Sequence, residues 1–497
     1  MATRTITPEE QALARQMLQR ARAAMRTAEH YDQARVDRLC QAIGWAAGNQ
    51  TSAARLANMS VDESGMGSRE PGRRSKVLGI LRDALRQKSM GVIEEIPEKG
   101  IVKYAKPAGV IASLIPVTSP YITPIGIAIY AIKCKDAVIF SPHPASTKTT
   151  NETVRLMRAA LRALDAPDDL LQCVDKPSIP LANELMSICD LTIATGGPAM
   201  VRAAYGSGKP AYGVGAGNAT MVIDETADVE QAARNTAISK TNDYGSGCSA
   251  DGNVLIDSRI HDAFVARLVA EGGYVVNGEE KAKLQAAYWD AEGHRTADTI
   301  ARPAAAVAKK AGIWLPADRT FFIVPEQHIG REHLFSTEKL GVVLAVFKYS
   351  GWEMALDMVR RIFETGGKGH SCGIYSFDDE HIHQLALTAP VSRMMVRQVQ
   401  SRSNAGTFTN GMPMTSSMGC GTWGGNITNE NISLKHYMNV TWVSRPIAED
   451  RPSEAELFGE FYQSPIFDET DRGAVTQAST DSSGRERPDL AKAEATQ

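Results

Sequence analysis

The side chain with the clearest chemical potential is Cys248, within Asn242-Asp-Tyr-Gly-Ser-Gly-Cys-Ser-Ala250. A structural cysteine usually sits in an apolar run, as Cys134, Cys173 and Cys189 nearly do. Cys248 instead lies between Gly247 and Ser249, just before a predicted strand. A thiol is the natural nucleophile near neutral pH, particularly where backbone N–H groups lower its pKa. Two further stretches are rich in glycine. Ala194-Thr-Gly-Gly-Pro-Ala-Met-Val201 follows a predicted strand and opens a helix. That combination gathers N–H groups and a positive helix end, which suits a pyrophosphate. Its spacing is not G-x-G-x-x-G, so an ordinary strand-to-helix turn is an equal reading. Gly213-Val-Gly-Ala-Gly-Asn218 has glycines at alternate positions. Either its backbone is pressed against something, or the loop adopts unusual dihedral angles.

The surrounding sequence supplies elements to hold these loops. Thr7 predicts a helix N-cap, with Pro8 at the first helical position and Glu10 completing a capping box. Leu13, Met17, Leu18, Ala21 and Met25 then recur at helical spacing. This helix is scaffold, or an amphipathic docking segment for a partner or a protein shell. Further helical patterns cover residues 36–59 and 74–85. Short apolar runs at 109–116, 137–140, 191–194 and 221–223 read as strands buried on both faces. Helical stretches at 125–133, 148–164, 179–187 and 198–205 lie among them. A second alternation begins near residue 237, with strands at 253–256, 321–324, 342–346 and 373–375 and helices at 262–271, 281–292 and 352–365. The expected class is α/β, with two doubly wound parallel-sheet domains. Such sheets bind ligands beyond the carboxyl ends of their strands.

Composition narrows the function. Lys+Arg number 54 against 57 Asp+Glu, so no basic excess is available to neutralise a nucleic-acid backbone. No run reaches the 18 or so apolar residues of a membrane span. No secretory signal is visible, and the 7 cysteines form no C-x-x-C pair, which favours a cytoplasmic setting with reduced thiols. Zinc ribbons and dithiol redox motifs drop out, and no metal site is expected. The aromatic island Leu457-Phe-Gly-Glu-Phe-Tyr462 is expected to pack on a partner subunit or its own domain. Ser, Asp, Glu, Gly and Thr dominate from 468 onward, so residues 449–497 read as a partly disordered tail.

Eight phrases, in order over residues 105–445, carry a resemblance. They are Leu114-Ile-Pro-Val-Thr-Ser-Pro120, Phe140-Ser-Pro-His-Pro144, Ala194-Thr-Gly-Gly-Pro198, Gly208-Lys-Pro-Ala-Tyr-Gly-Val-Gly-Ala-Gly-Asn218, the Cys248 loop, Glu338-Lys-Leu340, Gly366-Gly-Lys-Gly-His370 and Gly419-Cys-Gly-Thr-Trp-Gly-Gly425. Together they resemble the CoA-acylating branch of the aldehyde dehydrogenase superfamily. The resemblance implies that Cys248 attacks an aldehyde, hydride passes to NAD or NADP, and coenzyme A accepts the acyl group. It assigns Thr195, Gly196 and Gly197 to the cofactor pyrophosphate, with Gly215 beside them. Ser141, Pro142 and His143 would edge the adenosine ribose, and Glu338 would be the acidic residue near the nicotinamide ribose. His370 lies in a loop on the active-site side, where it could assist CoA or proton transfer or simply be a hydrogen-bonded structural histidine. Ser119 stands where members of the branch commonly have an Asn oxyanion donor; Thr118 or a backbone group would then compensate. The hydrolytic branch carries a Glu in the run matching residues 213–218, where it activates water. None is present here, so a nucleophile better than water is required, and CoA is one.

Within the branch the chain is most similar to members acting on sulfoacetaldehyde, with acetaldehyde, propionaldehyde and a catalytically silent scaffold as alternatives. Lys240, Ser246 and Ser249 are candidates to hold a sulfonate. Lys148 is the candidate for an NADP 2′-phosphate. Residues 1–94 and 107–236 are expected to form a cofactor-binding domain and 237–432 a catalytic domain. Residues 95–106 and 433–448 would supply oligomerisation strands that join across a subunit boundary, giving a homodimer or homotetramer.

Overall fold

A computed structural model describes residues 4–70 and 72–462. Four helices lead the chain: Pro8–Ala28, Gln33–Gly48, Gln50–Ser64 and Arg74–Leu85. Thr7 and Glu10 form the expected capping box. The continuous helix expected over 36–59 is broken at Asn49. Its backbone N–H closes the preceding helix on Trp45 O, and its side chain accepts from Ser52 N at 3.0 Å to open the next. One residue therefore ends one helix and starts another, which an apolar periodicity does not reveal. The first helix is not a free docking segment. Its apolar stripe, Ala14, Met17, Ala21, Ala24 and Ala28, is buried in the chain's own core.

A hairpin of β1 (Gly91–Ile96) and β2 (Ile101–Pro107) precedes a five-stranded sheet. That sheet contains β3 (Val110–Ile115), β4 (Ala137–Pro142), β5 (Leu171–Cys173), β6 (Leu191–Thr195) and β7 (Ala211–Val214), in the order β5-β4-β3-β6-β7. Its pairings are parallel. Strand order reverses between β3 and β6, so a crevice is expected beyond their carboxyl ends. Residues 116–119 follow β3, and Thr195 ends β6.

A seven-stranded parallel sheet comes next. Its strands are β8 (Thr220–Ile223), β9 (Asn253–Asp257), β10 (Gly273–Val275), β11 (Phe321–Glu326), β12 (Val343–Tyr349), β13 (Cys372–Tyr375) and β14 (Met394–Val396), in the order β10-β11-β12-β9-β8-β13-β14. The run 221–223 thus belongs to this second sheet and not to the first, and the crossing falls at 215–219 instead of near 236. Sequence texture could not locate it, because β7 and β8 are both short apolar runs flanking a glycine loop. The three-residue strands β5, β10 and β14 were equally invisible to periodicity. The helix expected at 281–292 is Gly278–Tyr288, started by a capping box at Asn277.

The last strand, β15 (Met438–Ser444), pairs beside β2 of its own chain, giving the order β1-β2-β15. Within the chain, this strand therefore completes a three-stranded sheet with the hairpin. Residues 434–437, also read as strand, form a 3₁₀ turn because the His436 ring nitrogen accepts from Ser433 N at 3.0 Å. The chain divides into two compact units: one holds 4–95 and 102–443, the other 96–101 and 444 onward. In the second, Ser453 and Glu456 cap the short helix Glu454–Phe458. Within the chain, the aromatic island is exposed at Leu457 and Phe458. Tail residues 463–497 lie outside the described residues.

Lys133 is buried in the helix Ile122–Lys133, its ammonium paired with Asp37. Removing one partner strands a charge in a poorly solvated place. Asp37→Ala is expected to lower unfolding free energy by about 2–3 kcal/mol, read as a fall in the urea midpoint at unchanged slope. A midpoint equal to wild type would count against that role.

Candidate active site

The loops that carry chemistry converge because of strand order. Glu338, Cys248, the 213–218 loop and His370 precede β12, β9, β8 and β13, which are consecutive neighbours in the second sheet. Their amino ends face the cavity also lined by Ser119 and Thr195 from the first sheet. This cavity, of about 930 Å³, is lined by Cys248, Ser119, His143, Thr195, Gly196, Gly197, Gly215 and Glu338.

Cys248 is half-buried, and its Sγ lies 3.0 Å from His370 Nε2. The other ring nitrogen, Nδ1, is 2.9 Å from Ser371 Oγ. With Nδ1–H donated to that hydroxyl, Nε2 is left to accept a proton. His370 is buried and does not line the cavity; it stands behind the sulfur. Arg393 fixes its backbone, donating from Nη1 to His370 O at 2.9 Å and from Nη2 to Gly419 O and Asn429 O at 2.5 and 3.1 Å. Burial, together with the Arg393 charge, pushes the His370 imidazole down to about 3. Burial, with Glu338 adding to it, pushes the Cys248 thiol up to about 12. Both shifts favour a neutral thiol on a neutral imidazole over an ion pair.

Two glycines explain the close approach. A Cβ on Gly217 would meet Cys248 O at 2.0 Å, and one on Gly369 would meet Cys420 O at 1.7 Å. The turn before Cys248 is strained, with Asp243 and Tyr244 at φ 51° and 52°. Asp243 is held by Ser68 N at 2.5 Å and by Arg73 Nη2 at 2.7 Å.

Glu338 is half-buried, and desolvation raises its pKa. Its Oε1 accepts from Gly217 N–H at 2.8 Å, and Oε2 lies 3.3 Å from Arg295 Nη2. It therefore ties the crossing loop to the segment before β12. Ser119 lines the cavity with Cys248, and among the described residues its hydroxyl has no hydrogen-bond partner. The oxygen of neighbouring Thr118 accepts from Arg73 Nη1 at 3.1 Å.

Thr195, Gly196 and Gly197 lead into the helix Pro198–Tyr205. A Cβ on Gly197 or Gly215 would meet nothing within 4 Å, so space for a ligand lies directly against the backbone. His143 is exposed at the rim, its Nδ1 accepting from Ala145 N at 3.1 Å. Ser141 and Pro142 are buried at the end of β4 and do not line the cavity. Lys148 is exposed and also off the lining; its backbone N–H donates to Glu63 Oε1 at 2.8 Å. Of the candidate sulfonate donors, Ser246 and Ser249 line the cavity. Lys240 does not: it is buried, with Nζ donating to Asp251 O at 2.7 Å. Sequence reasoning missed Arg73, Lys76, Arg295, Arg397 and Arg402, all on the lining. The only signal was the basic run Arg73-Arg-Ser-Lys76, read as part of a scaffold helix. No helix among the described residues is long and apolar enough to cross a membrane.

This pairing of thiol, imidazole and glycine-lined crevice on two parallel sheets coincides with a known family: the aldehyde dehydrogenase family profile matches residues 3–443, and the chain belongs to that family. Its relatives place it in the acylating branch. It is 42% identical over 451 residues to a sulfoacetaldehyde dehydrogenase of Acholeplasma sp, covering 89% of this chain and 93% of that one. It is 39% identical over 455 residues to the acylating sulfoacetaldehyde dehydrogenase of Bilophila wadsworthia, covering 90% and 98%. The crystal structure of an acetylating aldehyde dehydrogenase from Geobacillus thermoglucosidasius superposes with a TM-score of 0.85 at 34% identity, covering 90% of this chain and 99% of that one.

The thiol's raised pKa has a measurable sign. Below about 12 the thiolate fraction grows with pH. Iodoacetamide labelling of Cys248 in cofactor-free protein should therefore climb about tenfold per pH unit from pH 7 to 9. A rate already level by pH 8 would show a preformed thiolate and contradict the neutral pair.

Proposed function

We propose that this NAD(P)-dependent acylating aldehyde dehydrogenase acts on a short anionic aldehyde, sulfoacetaldehyde, and converts it to the CoA thioester. The observation that carries the chemistry is the 3.0 Å contact between Cys248 Sγ and His370 Nε2 at the edge of the cavity. Support for the anionic substrate comes from the lining, where Arg73, Lys76, Arg295, Arg397 and Arg402 face a single acid, Glu338, and from the two relatives named for sulfoacetaldehyde.

As the sulfur bonds to the aldehyde carbon, the thiol proton passes to His370 Nε2, the acceptor that lies 3.0 Å from the sulfur. The negative oxygen that develops is assigned to the Ser119 hydroxyl and to backbone N–H near Cys248. Thr195, Gly196, Gly197 and Gly215 would hold NAD or NADP, with His143 at the rim; the bound nicotinamide supplies the hydride acceptor. Hydride loss from the thiohemiacetal leaves a thioester on Cys248. The thiolate of CoA attacks that carbonyl, the acyl group departs on CoA, and the Cys248 sulfur recovers its proton. Water is a poor competitor, because the carboxylate on the lining, Glu338, is engaged by Gly217 N–H and Arg295. Lys148 is proposed to meet a 2′-phosphate where NADP is used. The seven free cysteines fit a reducing, cytoplasmic setting, and we assign the working form to a homodimer or homotetramer.

The reading is tested by following cofactor reduction with a panel of aldehydes in the presence of CoA. Sulfoacetaldehyde is expected to give the highest kcat/KM, and Cys248→Ala is expected to give none. A strong preference for unsubstituted acetaldehyde would remove the sulfonate assignment. His370→Ala should lower kcat by about 10²–10⁴, with normal folding by circular dichroism; wild-type turnover in that variant would exclude the imidazole as proton acceptor.

A further inference from the structure

We propose that Lys76 recognises the anionic end of the aldehyde and so sets the enzyme's preference for a sulfonate; the inference rests on the substrate reading above. In sulfoacetaldehyde a single methylene separates the sulfur from the carbonyl carbon. A cation that reads the sulfonate must therefore stand within a few ångströms of the nucleophile, on the same cavity wall.

The cations on the lining differ in what already holds them. Arg73 is engaged three ways, by Asp243 Oδ2, Ser246 Oγ and Thr118 O. Arg295 faces Glu338. Arg397 donates to Ser376 O and lies over the Phe377 ring, 4.5 Å from its centroid. Arg402 is exposed. Lys76 has no hydrogen-bond or ion-pair partner for its ammonium among the described residues, yet it lines the cavity together with Cys248.

Its position follows from the helix Arg74–Leu85. Arg73 stands at the N-cap of that helix, and Lys76 N–H closes the first turn on Arg73 O at 3.0 Å. Because Arg73 is pinned to Ser246, two residues before Cys248, the first turn of this helix is brought up to the nucleophile loop, and Lys76 and Cys248 line the same cavity. A Cβ on Gly247 would lie 4.0 Å from Arg73 Nη2, which measures how close this helix end comes. Were the Cys248 sulfur ionised, the Lys76 ammonium would favour the thiolate, and the thiolate would favour the ammonium. Burial and the neighbouring Arg73 push the ammonium down to about 8. An anion placed beside it would raise that pKa again, and an uncharged aldehyde would not.

Lys76→Gln and Lys76→Arg are compared with wild type on sulfoacetaldehyde and acetaldehyde. The ratio of the two kcat/KM values is expected to fall at least about tenfold in Lys76→Gln, as expected for losing a charge-assisted contact, mainly through the KM for sulfoacetaldehyde, and to recover in Lys76→Arg. If wild type prefers sulfoacetaldehyde and Lys76→Gln keeps that ratio, the role of Lys76 is overturned while the substrate reading stands. If wild type shows no such preference, the substrate reading itself fails. A rise confined to the KM of CoA or of the nicotinamide cofactor would assign Lys76 to a phosphate and overturn the proposal. A second measurement needs no variant. Methanesulfonate should slow iodoacetamide labelling of Cys248 in wild type, whereas its neutral isostere dimethyl sulfone should not. Equal protection by both would overturn the proposal.

Discussion

The site depends on a thiol and an imidazole held 3.0 Å apart, with burial favouring the neutral form of each. Neither is reactive alone at rest. In the mechanism proposed above, a carbonyl arriving on the open side of the sulfur gives the proton a reason to move, since the charge created on oxygen would have donors nearby and an imidazolium beside it. A thiol that stays protonated until then is sheltered from stray oxidants and alkylating agents. The cost is that geometry must do what a lowered pKa does elsewhere. Arg393 and the Gly369–Cys420 contact serve that purpose by fixing the loop on which His370 sits.

Strand order explains how distant residues meet. The loops of Glu338, Cys248, Gly213–Asn218 and His370 are far apart in sequence but precede four adjacent parallel strands. Asn218 binds the group together: Nδ2 donates to Ser336 O at 2.9 Å, and Oδ1 accepts from Asn253 Nδ2 at 2.9 Å. Lys339 extends this network by donating to Asn253 Oδ1 at 3.1 Å. Such a buried polar network is satisfied in one arrangement, so it specifies the spacing of the loops more strictly than apolar packing would.

Much of this was legible before any coordinates. Cys248 stood out because a cysteine among Gly and Ser has no packing reason to be there, and the parallel sheets followed from short apolar runs alternating with helices. What stayed hidden has physical causes. The boundary between sheets was misplaced because β8 carries the same apolar texture as the strands of the first sheet. Arg73 and Lys76 were hidden because a basic residue on an amphipathic helix looks solvated until tertiary contacts show what it faces. Lys240 misled in the opposite direction: it is near Cys248 in sequence, but its ammonium is turned to Asp251 O. Ser141 and Pro142 came through their motif, whose buried strand end serves to aim His143 outward.

The crossing at residues 215–219 joins one sheet to the other with its backbone against the carbonyl of the nucleophile. Were the two sheets to rock as a ligand enters the crevice, the motion would reach the sulfur directly, with no chain of side chains needed to relay it. Filling the cleft and aiming the thiol are then a single mechanical event.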